Sequence, residues 1–238
     1  MTKQRLDQAL VVQALTASRS QAESYIKLGK VSVNGVTVKK AGTLVSVTDK
    51  LRLNVATQYV SRAGLKLASV ADIFQLDFSN KTVLDVGSST GGFTDFVLQH
   101  GATQVIAVDV GTDQLHPSLH LNPRIELHEK TDIRQFTTAH NIDVVVADVS
   151  FISLREILPS IKRLSTRSTL IVVMLKPQFE AGGSMKHKGV IKNDTMRREI
   201  IKKFEQWVAA DFIIVAKADS QVSGSKGNRE RFYLLRTI

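Results

Sequence analysis

The apolar and polar positions of this chain change pattern about a third of the way along it. Near the N-terminus, RLDQALVVQAL sets Leu6, Ala9, Leu10 and Ala14 on one face at helical spacing. A second helix is predicted over SRSQAESYIKLG, with Ser18 as its N-cap, Glu23 close by and Gly29 as its stop. VSVNGVTV then alternates strictly about Asn34-Gly35, a strong hairpin signal, and DKLRLNV supplies a further strand. From residue 81 the strand-like runs are KTVLDV, TQVIAVDV, RIELHE, NIDVVVADV, STLIVVMLK, DFIIVAKA and ERFYLLRTI. Between them lie the helix-like TDFVLQHG, REILPSIKRL and TMRREIIKKFEQWVAA, so the body reads as βαβ units building a mostly parallel sheet. ERFYLLRTI follows its predecessor closely and is expected to enter antiparallel, as a hairpin partner. Trp207, at helical spacing from Ile200 and Phe204, reads as core. GSMKHKG (183–189) and SGSKGN (223–228) read as mobile loops.

Composition narrows the class. At 238 residues, 43% of them hydrophobic, the chain has room for one ordinary domain and a small appendage. It contains no cysteine, which excludes a disulfide scaffold, a thiolate zinc site and a cysteine nucleophile. MTKQRLDQAL lacks the apolar core of a signal peptide, and runs such as TLIVVML (169–175) fall well short of the roughly 20 residues a spanning helix needs. A soluble, cytoplasmic protein without a membrane partner is expected. The net charge of +10 is uneven: residues 1–58 hold nine Lys and Arg against three Asp and Glu, the remainder 23 against 19. Basic charge gathered in this way suits a polyphosphate partner.

Two sets of residues carry candidate chemistry. The first run of the body ends in Asp85-Val86-Gly87-Ser88-Ser89-Thr90-Gly91-Gly92-Phe93, where glycines between strand and helix let the backbone approach a ligand. A dinucleotide fingerprint needs glycine at position 89, so Ser89 argues against NAD. Asp109, 24 residues after Asp85, can hold a ribose diol, and Asp132 can accept from an adenine amine. Val110 and Ile133 beside them, with Asp148, complete the candidate cofactor set. So acidic a pocket suits S-adenosylmethionine, which brings a sulfonium and an ammonium but no phosphate. The second set is Lys66 in YVSRAGLKL, Asp148 in VVVADVSF, Lys176 in VVMLKPQFE and Glu230 in GNRERFYLL. Each is read as lying beside or at the end of a strand-like segment, and all four are expected to converge at one sheet edge. Two lysines and two carboxylates there can deprotonate an alcohol without a metal. No metal site is expected: His116 and His120 are four apart, but Pro117 lies between them and no third ligand is evident.

The front part, through Arg5, Leu6, Asp7, Leu10, Ser18, Arg19, Ser20, Ala22, Ile26, Gly29, Val31, Val33, Asn34 and Gly35, resembles the S4 RNA-binding domain. That resemblance implies phosphate contacts from Arg5, Arg19, Lys27 and Lys30, with Arg62 a further candidate from the body. Together with YVSRAGLKL, LDVGSSTGGFTD, VVADVSFISL, LKPQFE and SKGNRE, the whole chain resembles the TlyA family, and its body the FtsJ-type ribose 2′-O-methyltransferases. Ser88 stands where that family often has alanine, and Ala63 where it often has glycine. The resemblance implies a Rossmann-like methyltransferase fold with a seven-stranded, mostly parallel sheet over residues 59–238, preceded by an S4-like domain over 1–58. It also implies S-adenosylmethionine as cofactor, ribosomal RNA or ribosomal subunits as partner, and Lys66, Asp148, Lys176 and Glu230 as a catalytic tetrad. The chain matches the shorter members, which implies a large-subunit rRNA cytidine as target. A free lysine titrates near ~10.4, so a lysine base needs surroundings that disfavour its charged form. Lys176 is assigned as base, with Lys66 disfavouring its ammonium form or holding the target phosphate. Asp148 orients Lys176 and the methyl group, and Glu230 holds the lysines. Members of the family are often labelled hemolysins, but neither a spanning helix nor long lipid-facing strands are visible here. An assembly factor with an idle methyltransferase fold is a further alternative, against which the intact tetrad argues.

Overall fold

The computed structural model describes residues 3–55, 58–181, 189–191, 193–222, 224 and 227–238. Most of the two stretches read as mobile loops lies outside these residues.

The front module is two short helices against two small sheets. Lys3–Arg5 (β1) pairs antiparallel with Leu44–Ser46 (β4), a strand pair that helical periodicity at RLDQAL conceals. Helix α1 covers Leu6–Val12 and buries Leu6, Ala9 and Leu10 completely. Ala14 does not continue that face: it turns into the left-handed region (φ 53°), Leu15 N–H reaches back to the Leu10 carbonyl at 2.9 Å, and Leu15 packs on the core instead. Ser18 caps α2 (Arg19–Lys27) by accepting from Gln21 N–H at 3.2 Å, and Gly29 at φ 70° ends it. The hairpin of Val31–Val33 (β2) and Val36–Thr37 (β3) turns on Asn34 and Gly35, both at positive φ, as a two-residue primed turn requires. Leu51–Leu53 (β5) completes this sheet on the other side of β2.

The body starts at α3 (Arg62–Phe74), capped by Ser61. Its strands are β6 (Thr82–Val86), β7 (Gln104–Val108), β8 (Ile125–His128), β9 (Val144–Ala147), β10 (Leu170–Leu175), β11 (Phe212–Asp219) and β12 (Arg231–Thr237). The sheet order is β11-β12-β10-β9-β6-β7-β8, and β12 inserts antiparallel between β10 and β11. Helices α4 (Gly92–Gln99), α5 (Leu154–Arg163), the single-turn α6 (Pro177–Glu180) and α7 (Asp194–Val208) complete the body. Strands β9 and β10 are buried almost throughout, which explains their unbroken apolar runs: helices cover both faces of a parallel sheet. One face packs on α5 and α7 through Leu154, Ile157, Ile201 and Phe204, the other on α3 and α4 through Leu67, Val70, Phe93 and Val97. Trp207 is half-buried at the edge of the first core, with the Arg155 guanidinium 5.5 Å from its ring centroid.

Two features of this topology place the site. The chain runs from β6 outward to β7 and β8, then returns to the other side of β6 as β9, so the strand order reverses between β6 and β9. In open α/β sheets ligands bind at the carboxyl ends of strands beside such a reversal. The front module, moreover, shares its core with the body: Leu65 of α3 and Val222 belong to the cluster built on Leu6, Leu10, Tyr25 and Ile26.

Candidate active site

At the carboxyl ends of β6, β7 and β9 lies a cleft of about 620 Å³. Of the cofactor residues expected from sequence, Gly87, Ser89, Asp109, Val110, Asp132, Ile133 and Asp148 line it. Gly87 takes φ 81°, and a Cβ there would come within 3.0 Å of the Asp148 carbonyl, so only glycine lets the two strand ends approach. Asp109 accepts from Ser89 N–H at 2.8 Å and Gly111 N–H at 2.6 Å, which ties the glycine loop to the end of β7. Asp132 is paired with Arg134, whose hydrogen bonds hold its carboxyl below the usual range, so it stays ionised at the cleft wall.

The other residues of the loop stand behind that wall. Phe93 is core, its ring 6.2 Å from that of Phe232. Gly92 serves helix packing, because a Cβ there would strike Ser61 Oγ at 2.2 Å and Ala63 Cβ at 2.7 Å. Gly91 similarly admits Leu115 and Leu119. Asp85 is fully buried and accepts from Thr94 Oγ1 at 2.6 Å, while its Oδ1 and the Ser88 hydroxyl have no hydrogen-bond partner among the described residues. Burial pushes the Asp85 carboxyl up to about 7, the Thr94 hydrogen bond opposing and the charges of Asp148 and Asp109 adding to it. Three carboxylates on the cleft lining, with an unpartnered buried carboxyl and hydroxyl behind its glycine loop, suit a cationic nucleoside better than a phosphorylated one.

Beside the cleft are two ion pairs. Lys176 Nζ lies 2.6 Å from Asp148 Oδ1, and Lys66 Nζ lies 2.6 Å from Glu230 Oε2. All four side chains are largely shielded from solvent, Glu230 almost completely. Strand register explains three of them: Ala147 is level with Val173, and Leu175 faces Arg231, so Asp148, Lys176 and Glu230 stand at neighbouring ends of β9, β10 and β12. Lys66 differs from expectation. It lies on α3, not beside a strand, because the Ser61 cap starts a helix that turns Lys66 toward the sheet.

Several participants were not legible in sequence. Ser150, two residues past Asp148, accepts a hydrogen bond from Lys176 Nζ at 2.7 Å. Glu180 accepts from Ser153 Oγ and Leu154 N–H, both at 2.7 Å, and so staples the segment after β10 to the one after β9. Burial raises the Glu180 carboxyl against the pull of these hydrogen bonds. Phe151 lines the cleft, is 91% exposed at φ 66°, and has its ring 5.2 Å from that of Phe179. Only the paired motifs VSFISL and KPQFE hint at these links.

The candidate RNA residues divide into two kinds. Arg5 and Arg19 both hydrogen-bond the buried Asp7, Arg5 at 2.9 Å and Arg19 at 2.7 Å. Burial pushes the Asp7 carboxyl up, but these hydrogen bonds outweigh it and hold it at about 2. The two guanidinium groups are therefore fixed side by side, each still about half exposed. Lys27 and Lys30 are exposed around the end of α2, and Arg62 is half-buried at the start of α3. His116 Nδ1 contacts Ser118 Oγ and His120 Nε2 the Leu115 carbonyl, each at 2.8 Å.

Comparison with known proteins agrees with this layout. Residues 59–237 match the FtsJ-like methyltransferase family and residues 4–51 the S4 domain. The chain is 37% identical over 240 residues to the 16S/23S rRNA (cytidine-2′-O)-methyltransferase TlyA of Mycobacterium tuberculosis, covering 98% of this chain and 90% of the relative. It is 36% identical over 244 residues to the 23S rRNA (cytidine-2′-O)-methyltransferase TlyA of Campylobacter jejuni, covering 94% and 96%. Among solved structures, one from Streptococcus thermophilus bearing a provisional hemolysin name is 33% identical. It superimposes with a TM-score of 0.73 over 100% of this chain and 89% of that one.

Proposed function

The chain belongs to the FtsJ-like methyltransferase family, with an S4 domain ahead of the methyltransferase body, and on that footing we propose that it methylates the ribose 2′-hydroxyl of a cytidine in ribosomal RNA. The observation that carries this reading is the position of Asp148, which lines the cleft and is also the counter-ion of Lys176. The cofactor compartment and the candidate base thus share one residue.

S-adenosylmethionine, when bound, supplies an electrophilic methyl group on a sulfonium. Asp109 would hold its ribose diol and Asp132 its adenine amine, with Val110 and Ile133 against the base. Lys176 Nζ takes the proton of the 2′-hydroxyl, and Asp148 holds that nitrogen at the cleft. Lys66, clamped by Glu230, supplies a second positive charge that either disfavours the ammonium form of Lys176 or holds the target phosphate. Phe151 offers an exposed aromatic face on which an unstacked base can rest, as single-stranded RNA recognition commonly uses. Arg5, Arg19, Lys27, Lys30 and Arg62 contact the RNA backbone. The relatives' names support cytidine as the target.

The test is transfer of labelled methyl from S-adenosylmethionine to ribosomal subunits and to naked rRNA, followed by alkaline hydrolysis. Capping the 2′-hydroxyl blocks cleavage at that site, so label in alkali-resistant dinucleotides that begin with cytidine supports the reading. Label on a base, or none on any rRNA, contradicts it. Erythrocyte lysis measured with and without the cofactor tests the hemolysin name separately.

A further inference from the structure

We propose that Ser150 is a positioning residue for the methyl-transfer reaction: its hydroxyl fixes the rotation of the Lys176 amino group so that the nitrogen lone pair faces the ribose hydroxyl. The inference rests on the methyltransferase reading above, and on the geometry around one nitrogen. Among the described residues, Lys176 Nζ has two close polar neighbours, Asp148 Oδ1 at 2.6 Å and Ser150 Oγ at 2.7 Å. The two contacts differ in kind. The Asp148 contact is close but lies off the hydrogen-bonding directions, whereas Ser150 receives a directed hydrogen bond. An ion pair of that sort draws an N–H toward the carboxylate but fixes its direction less sharply than a hydrogen bond does.

Direction matters at the moment of proton transfer. A lysine acting as base is an amine with two N–H bonds and one lone pair in a roughly tetrahedral arrangement. One N–H committed to Ser150 and the other drawn toward Asp148 leave a single direction for the lone pair. Without Ser150 only the Asp148 carboxylate restrains rotation about the Cε–Nζ bond, and the lone pair has a choice of directions. Effective general-base catalysis depends on such alignment. Ser150 lies at the wall of the cofactor cleft and is itself exposed, so its loss removes a hydroxyl without opening a cavity. It belongs to the same short segment that Glu180 pins through Ser153 and Leu154, which gives it a fixed backbone from which to act.

The experiment compares wild type, Ser150→Ala and Ser150→Thr in single-turnover methyl transfer at saturating cofactor and RNA, across pH 6–9, with cofactor affinity measured by calorimetry. Ser150→Ala should lower the plateau rate by about tenfold or more at unchanged cofactor affinity. It should also move the acid limb of the pH–rate profile to lower pH by about one unit, because the ammonium form loses an acceptor. Ser150→Thr, which keeps the hydroxyl, should restore the limb. A rate loss uniform across pH, a parallel loss of cofactor affinity, or a wild-type profile in Ser150→Ala would overturn the proposal while leaving the methyltransferase reading intact. Absence of methyl transfer by the wild-type protein would overturn both.

Discussion

Lys66 Nζ lies 2.6 Å from Glu230 Oε2, an ion pair that joins the first helix of the body to the residue ahead of its last strand. The carboxylate is 2% exposed and packs so closely on Gly224 that a Cβ there would meet its Oε1 at 2.2 Å. Glu230→Gln therefore leaves a shielded ammonium without its counter-charge. Breaking a buried pair in this way typically costs about 3–5 kcal/mol, and chemical denaturation should show a loss near that range. The double variant Lys66→Met, Glu230→Leu should recover most of the stability but no methyl transfer, separating the two roles of the pair. A single variant as stable as wild type would mean that the pair is solvated in solution.

Asp109 makes a second test of the cleft. If its carboxylate, which also holds Ser89 and Gly111, binds the ribose diol as proposed, Asp109→Ala should weaken S-adenosylmethionine binding with the fold retained. Each lost charged hydrogen bond corresponds to roughly 1.5–3 kcal/mol, about ten- to over a hundredfold in affinity. Unchanged affinity by calorimetry would remove Asp109 from the site.

Asp85 gives the cofactor-free protein a pH dependence of definite sign. Its carboxyl is raised to about 7, against about 3.9 in an unfolded chain. The folded state thus holds a proton that the unfolded state has lost, and this contribution is complete below about pH 4 and disappears as pH rises through 7. Urea denaturation at pH 5 and pH 8 should show a smaller stability difference in Asp85→Asn than in wild type. An equal difference in both would mean that Asp85 is ionised when folded.

How much of the fold and the candidate site is legible in the sequence differs from residue to residue. The hairpin at Asn34-Gly35, the Ser18 cap and the buried strands were legible because each depends on local chemistry or on an unbroken apolar run. Asp148, Lys176 and Glu230 were legible as a convergent set because strand ends at one sheet edge are neighbours. Lys66 reads as lying beside or at the end of a strand-like segment, whereas the Ser61 cap starts a helix that carries it. The Gly91-Gly92 pair reads as a ligand loop, yet Gly92 answers to helix packing and Gly91 to the side chains of Leu115 and Leu119, contacts invisible to spacing. Ser150 and Glu180 act across two loops, and no periodicity reports which loop side chains meet.

The front module calls for point variants in place of truncation. Leu65 and Val222 lie in its core, and Gln21 Nε2 donates to the Tyr59 carbonyl at 3.0 Å, so removing the module exposes apolar surface on the body. Lys27→Ala and Lys30→Ala avoid this, since both side chains are exposed. If each contacts a phosphate, each variant should lower the slope of log affinity against log salt by roughly 0.7–0.9, with cofactor binding unchanged. Identical slopes for wild type and variants would place the RNA elsewhere.

The most direct test of the account is single-turnover methyl transfer by Lys176→Arg on the RNA substrate. Arginine keeps the positive charge beside Asp148 and can still hold a phosphate, but it cannot be deprotonated in a protein. If Lys176 is the base, the rate should fall by ~10²–10⁴-fold while cofactor and RNA affinities stay within a few-fold of wild type. Near wild-type turnover in the variant would contradict the account, making Lys176 an electrostatic clamp and moving the proton acceptor to Lys66 or Asp148.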